Sequence, residues 1–170
     1  MDINFMGLVR CARAVLPHMR RQKAGKIVAF SSIGGLMGLP FQGYYSASKF
    51  AIEGFCEALR LEVGPNNVKV VVIEPGDFHT GFTGKRKKEA DPEAAKAYPT
   101  YAESMASIEK DETTGLTPGF LAAKLVKIIE KDNPAYSYII STFVQRLSVT
   151  LKHILPAPLF ARILGSYYKL

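Results

Sequence analysis

The chain has 170 residues, 48% hydrophobic and 22% charged, with a formal net charge of +7. That is enough for one domain with a closed core, and no apolar run approaches the roughly 20 residues of a membrane span. The opening residues lack the basic flank and apolar core of a secretory leader. Cys11 and Cys56 fall in helical segments without metal-ligand spacing or a disulfide framework, and both are expected as buried thiols in a reducing cytoplasm. The charge suits a nucleotide phosphate, an acidic substrate, an anionic membrane surface or plain solubility equally well, so it selects no partner.

Phe5, Leu8, Val9, Ala12, Val15, Leu16 and Met19 recur at three- and four-residue steps, which predicts an amphipathic helix over about 2–22. Pro17 is expected to kink or loosen its last turn, and Gly25 to stop it. Arg20, Arg21 and Lys23 complement the C-terminal end of its dipole. Lys26-Ile27-Val28-Ala29-Phe30 reads as a buried strand over 26–31, closed by Ser31-Ser32-Ile33-Gly34-Gly35. A helix over about 43–63 follows, with Ile52, Phe55 and Leu59 on one side and Ala47, Ala51 and Ala58 on another. Glu53, Glu57 and Arg60 leave only a narrow polar seam, so neighbours must cover this helix nearly all round. Gly64-Pro65-Asn66-Asn67 is a turn, and Val68-Lys69-Val70-Val71-Val72-Ile73 is a β-branched strand. Two strands around a helix form a parallel crossover, which puts functional groups beyond the C-terminal ends of the strands.

The chemistry sits at those ends. Tyr45 and Lys49 are four residues apart and share one helix face. An ammonium that close is expected to lower the Tyr45 pKa toward the working pH. Ser32, thirteen residues before Tyr45, leaves the strand end with a hydroxyl in reach of the same oxygen. A hydroxyl, a tunable phenol and a cation together suit the interconversion of an alcohol and a carbonyl.

From about 77 to 117 the periodicity dissolves around Gly81, Gly84, the Lys85-Arg86-Lys87-Lys88 run, Pro92 and Pro99, with short helices expected near 92–98 and 101–109. A connection this long is functional or mobile. Phe78, Phe82, Tyr98, Tyr101 and Met105 are candidates for lining an apolar pocket, and the basic run reads as a solvated face. His79 is a spare base where Tyr45 already fills that role. Thr117-Pro118-Gly119 opens another helix with an N-cap hydroxyl and an early proline. Tyr136-Ser137-Tyr138-Ile139-Ile140 reads as a last strand. Residues 141–170 carry Arg146, Lys152, Arg162 and Lys169 and no acidic residue, in two short helices about Pro156-Ala157-Pro158. Such a segment buries itself over a pocket or a subunit interface, or lies on an anionic membrane.

The Ser32 and Tyr45-x-x-x-Lys49 spacing, Asn4 on the preceding helix and the Glu74-Pro75-Gly76-Asp77-Phe78-His79-Thr80 loop together resemble the short-chain dehydrogenase/reductases. The resemblance implies an α/β fold, a Rossmann-like doubly wound parallel sheet. It also implies a Gly-rich phosphate-binding turn that does not occur before Asn4, so residues 1–170 are expected to be the C-terminal catalytic part, one domain without its nucleotide-binding half. Further implications are an NAD(P)-dependent oxidoreductase interconverting a secondary alcohol and a ketone, with NADP favoured over NAD. Tyr45 is then the general acid/base, Lys49 lowers its pKa and binds the nicotinamide ribose, and Asn4 supports a water linking Lys49 to solvent. Pro75, Gly76 and Thr80 hold the nicotinamide, and Ser32, Phe78 and Phe82 meet the substrate. Residues 77–117 become the substrate lid. The apolar tail and the Pro-Gly loop resemble the branch acting on hydroxysteroids and retinoids, which implies a lipophilic substrate. A homodimer or homotetramer, a cytoplasmic site with peripheral membrane contact through the tail, and neither a metal nor a nucleic-acid partner complete the expectation. The alternative is a non-catalytic dimerising or lipid-binding remnant of such an enzyme.

Overall fold

The strand Val68–Pro75 (β2) is the axis of the fold in the computed structural model, which describes residues 1–86 and 92–170. Its β-branched residues alternate between two covered faces: Val68, Val70 and Val72 join one core cluster, Val71 and Ile73 another. A strand buried on both faces is the mark of a parallel sheet with helices on each side. β2 is flanked by Gly25–Phe30 (β1), in register Gly25 with Val68 through Phe30 with Ile73, and by Ser137–Ile140 (β3), whose Ser137 pairs with Val72. Both pairings are parallel and the order is β1-β2-β3.

On one face lie Gly7–Gln22 (α1) and Gly43–Val63 (α2), which bury Ala12, Leu16, Ile52, Cys56, Leu59 and Val63 against Ile27, Ala29 and the even-numbered valines of β2. Leu121, Leu125 and Ile128 of Pro118–Ile129 (α5) cover the other face. Between β2 and α5 come Pro92–Ala97 (α3) and Tyr101–Thr114 (α4); after β3 come Phe143–Ile154 (α6) and Ala157–Tyr167 (α7). The last two pack Val149 and Phe160 onto Ile33 and Met37 of the loop after β1.

Several local expectations are corrected. The first helical segment opens as a π-helical stretch, Asp2–Met6, before α1. Pro17 sits inside an unbroken α1, since its missing N–H removes only one ladder bond on an exposed face. The left-handed residue that ends α1 is Lys23 (φ 50°), not Gly25. Gly25 instead opens β1, where a Cβ would fall 2.6 Å from the Met19 side chain. Cys11 is exposed, while Cys56 is fully buried. Thr117 caps α5 as expected, accepting from the Phe120 N–H, and Thr142 with Gln145 forms a capping box at α6.

Candidate active site

All three strands end at one edge, and the loops after them meet there. Ser31 and Ser32 follow β1. Ser32 is 7% exposed and caps the short 3₁₀ turn Ile33–Gly35 by accepting from the Gly34 N–H at 3.1 Å. Its Oγ also donates to the Pro75 carbonyl at 3.4 Å, which ties the end of β1 to the end of β2. Gly35 lets α2 approach this turn, because a Cβ there would lie 2.5 Å from Ser31 Oγ and 3.0 Å from the Lys49 carbonyl. The close approach brings Tyr45 and Lys49 over the Ser32 turn.

The Ser32 hydroxyl faces the Tyr45 phenol closely enough to favour the phenolate, but burial dominates and raises the Tyr45 pKa, with Asp77 and Glu112 adding to the rise. The expected lowering by Lys49 therefore does not occur in this structure. Lys49 Nζ lies 5.7 Å from the Tyr45 ring centroid and donates to the Phe30 carbonyl at 2.9 Å. Burial lowers the Lys49 pKa, with Glu53 opposing. Asn4 is exposed and donates to Ser48 Oγ at 3.1 Å; Ser48 donates to the Tyr45 carbonyl at 2.7 Å. Asn4 thus reaches the site through α2, one residue from Lys49.

Ser32 and Tyr45 lie on the wall of a cavity of about 470 Å³ that Pro75, Gly76, Phe78, Thr80 and Phe82 also line. The Phe82 ring is 6.0 Å from that of Tyr45. Thr80 accepts from the Phe82 N–H at 3.2 Å, and a Cβ on Gly76 would meet Gln145 Oε1 at 2.0 Å. The 77–117 segment closes on itself at its base: Phe78 pairs with Leu116, His79 N–H donates to Leu116 O at 2.9 Å, and Leu116 N–H donates to Asp77 O at 3.0 Å. His79 is exposed and its ring contacts the Thr113 carbonyl, away from the cavity lining. Tyr98 and Tyr101 pack edge-on against Phe41, and Tyr101 and Met105 line an adjoining hollow that shares Gln42, Tyr45 and Phe82 with the main cavity. Arg86, expected on a solvated run, is half-buried and pairs with Glu112; Lys87 and Lys88 lie outside the described residues.

Sequence reasoning did not single out Ile108, Asp111 and Glu112 of α4 or Gln145 of α6, which complete the cavity; Leu151, Phe160 and Leu164 come from the tail segment expected over a pocket or an interface. Gln145 Nε2 donates to Asp77 Oδ2 at 2.5 Å and its Oε1 accepts from the Asp77 N–H at 3.4 Å, clamping the Pro-Gly loop to α6. Among the described residues no cluster of three metal-binding side chains forms, and no helix is long and apolar enough to cross a membrane.

Residues 1–91 match the family model of short chain dehydrogenases. The chain belongs to the short-chain dehydrogenase/reductase family, whose oxidoreductases its relatives represent. It is 43% identical over 169 residues to the 3-ketodihydrosphingosine reductase of Bacteroides thetaiotaomicron, covering 99% of this chain and 63% of that protein. With the 17-beta-hydroxysteroid dehydrogenase type 1 of Homo sapiens it shares 47% identity over 85 residues, 50% of this chain and 26% of that one. The structure of a serine dehydrogenase complexed with NADP+ matches with a TM-score of 0.66 at 27% identity, covering 84% of this chain and 54% of that chain. The chain spans less than two thirds of each of these proteins. Its sheet and helices are part of the Rossmann-like α/β fold of that family.

Proposed function

We propose that this chain carries the catalytic part of an NAD(P)-dependent oxidoreductase that interconverts a secondary alcohol and a lipophilic ketone. The observation that carries the reading is the meeting of Ser32 and Tyr45 on the wall of a mostly apolar cavity built from the 77–117 segment and the tail. In ketone reduction Tyr45 donates the proton to the substrate oxygen, and Ser32 donates a hydrogen bond to the same atom. Burial holds the phenol protonated for this acid role, and its phenolate takes the proton back in the reverse reaction, so the group itself selects no direction.

The residues fit the nicotinamide-ribose end of such a dinucleotide. An ammonium has three donors and Phe30 takes one from Lys49, which suits ribose hydroxyls. Pro75, Gly76 and Thr80 stand on the same wall as Tyr45, and Asn4 orders α2 at Ser48 beside Lys49. Bound there, NADP or NAD would supply the hydride, NADP being the favoured form. Phe78 and Phe82 would hold the substrate's hydrocarbon. Consumption of reduced cofactor with a long-chain ketone, with Tyr45→Phe as the control, tests the assignment.

The outer face of α2 exposes Ala47, Phe50, Ala58 and Leu61, which supports pairing with a second copy across a two-fold axis as a homodimer or within a homotetramer. The tail leaves Phe143 80% and Ile154 68% exposed among Arg146, Lys152 and Arg162, which supports peripheral contact with an anionic membrane from the cytoplasmic side. The protein should co-sediment with anionic vesicles and be released by salt; equal retention on uncharged vesicles would rule out the electrostatic contact.

A further inference from the structure

Most polar side chains on the cavity wall already have partners. Gln145 meets Asp77, the Tyr167 hydroxyl donates to Asp111 at 2.7 Å, and Glu112 takes Thr83 at 2.6 Å together with Arg86. Ser148 donates to the Val144 carbonyl at 3.0 Å. Tyr168, at the end of the tail, is different. It lines the cavity half-buried, and among the described residues its hydroxyl has no hydrogen-bond partner. Nor is that hydroxyl sealed in: among the described residues the closed-off side-chain atoms without a partner are Glu53 Oε1, Glu74 Oε2 and Arg86 Nη1. It faces Asp77, Asp111 and Glu112, which all line the cavity, so it opens inward rather than to the outer surface.

The backbone that carries this phenol is fixed. The Tyr168 N–H donates to the Leu164 carbonyl at 3.1 Å, and its own carbonyl accepts from the fully buried Ser104 hydroxyl at 2.5 Å. Lys169, in the left-handed region at φ 60°, pairs with Glu103 of α4 at 2.7 Å. The Tyr167 ring stands edge-on to that of Tyr168, with centroids 5.1 Å apart. Burial, with Asp77, Tyr167, Asp111 and Glu112 nearby, pushes the Tyr168 pKa up, which keeps the proton on the phenol. A held donor in a largely apolar wall gains most from a ligand that brings it an acceptor.

We propose that Tyr168 is a specificity-determining residue, donating a hydrogen bond to a second, neutral oxygen on the substrate, apart from the carbonyl that meets Ser32 and Tyr45. This rests on the reading of Ser32 and Tyr45 as the reducing site. The second oxygen is neutral because Asp77, Asp111 and Glu112 line the same cavity and, among the described residues, no lysine or arginine does so. Leu147, Leu151, Phe160, Ile163 and Leu164 give the substrate's hydrocarbon its apolar wall. A ligand of hydrocarbon alone would expel water from the phenol and leave it without an acceptor, so the site discriminates against it.

The test compares alkan-2-ones with the same ketones bearing a terminal hydroxyl, over chains of roughly 8 to 16 carbons, the range a cavity of this kind takes. Values of kcat/KM are measured on the full-length protein with reduced nicotinamide cofactor, for wild type and Tyr168→Phe. The ratio of hydroxyketone to plain ketone cancels any general effect of the substitution on the wall. At the preferred chain length that ratio should be about 5-fold higher in wild type than in Tyr168→Phe, the scale of one neutral hydrogen bond. Calorimetric titration with 1,12-dodecanediol against dodecan-1-ol should show the same drop without turnover. Ratios equal in the two proteins at every chain length, as a purely structural wall residue would give, would overturn the proposal. Plain ketones reduced alongside such equal ratios would leave the reductase reading standing. A titration ratio that falls in Tyr168→Phe, with no ketone reduced by either protein, would remove the reductase reading and leave the Tyr168 contact in place.

Discussion

Gly76→Ala probes the joint between the Pro-Gly loop and α6. An ideal Cβ on Gly76 would lie 2.0 Å from Gln145 Oε1 and 2.7 Å from the Ser141 Cβ, well inside contact distance, so Gln145 has to swing away. It then gives up the Asp77 N–H at 3.4 Å, the Thr142 N–H at 3.2 Å and its own donation to Asp77 Oδ2 at 2.5 Å. Two long neutral bonds worth about 0.5 kcal/mol each and one to a charged group worth about 1.5 kcal/mol are at stake. The Ser141 contact adds overpacking of about 1 kcal/mol. A total of roughly 3.5 kcal/mol lowers the Tm of a domain this size by about 7–14 °C. Thermal unfolding followed by circular dichroism on Gly76→Ala, Gln145→Ala and the double variant separates the parts. With Gln145 already truncated, the alanine at 76 should cost only the Ser141 contact, about 1 kcal/mol. An equal cost in both backgrounds would refute the reasoning, because Gln145 would not then be what the new methyl group displaces.

Glu74 gives a pH-dependent stability. It is 2% exposed on β2 with one carboxyl oxygen lacking a hydrogen-bond partner, and burial with Glu53 nearby pushes its pKa from 4.5 to about 7. The folded state holds a proton that the unfolded chain releases, so stability falls as pH rises from 4.5 to about 7. Glu74→Gln should flatten the Tm profile in that window and match or exceed wild type at pH 8; a steeper fall in the variant would contradict this. Ser32→Ala should reduce turnover on the order of 100-fold by removing a donor to the reacting oxygen. Turnover within two-fold of wild type would show that Ser32 serves only as the cap for Gly34.

Local chemistry was legible wherever it was local in cause. The span of α2 follows from its apolar repeat and the turn chemistry of Gly64-Pro65-Asn66-Asn67, and Thr117-Pro118 announces α5 by capping alone. Tyr45, Ser32 and the Pro75-Gly76 loop share one wall because parallel strands align their ends, a rule that needs no coordinates. What was not legible depends on tertiary burial. The spacing of Tyr45 and Lys49 predicts a lowered phenol pKa, but desolvation outweighs a cation that turns to the Phe30 carbonyl. Gln145 meets Asp77 across 68 residues, and no periodicity in the tail signals that contact. Tyr98 and Tyr101 look equivalent to Phe78 and Phe82 as pocket aromatics, yet both pack on Phe41, with Tyr101 bordering a hollow beside Tyr45 and Phe82. Arg86 reads as one of four solvated cations until Glu112 is brought beside it.

The central claim is that Tyr45 moves the proton in a ketone–alcohol interconversion. Its most direct test is the rate of hydride transfer in the full-length protein, followed by loss of reduced-nicotinamide absorbance with a long-chain ketone, for wild type and Tyr45→Phe. The variant keeps the ring against Phe82 and loses only the hydroxyl, so its fold and ligand affinity should hold while the rate drops at least 100-fold, the scale of general acid catalysis. A folded Tyr45→Phe protein that reduces the ketone at the wild-type rate would contradict the account.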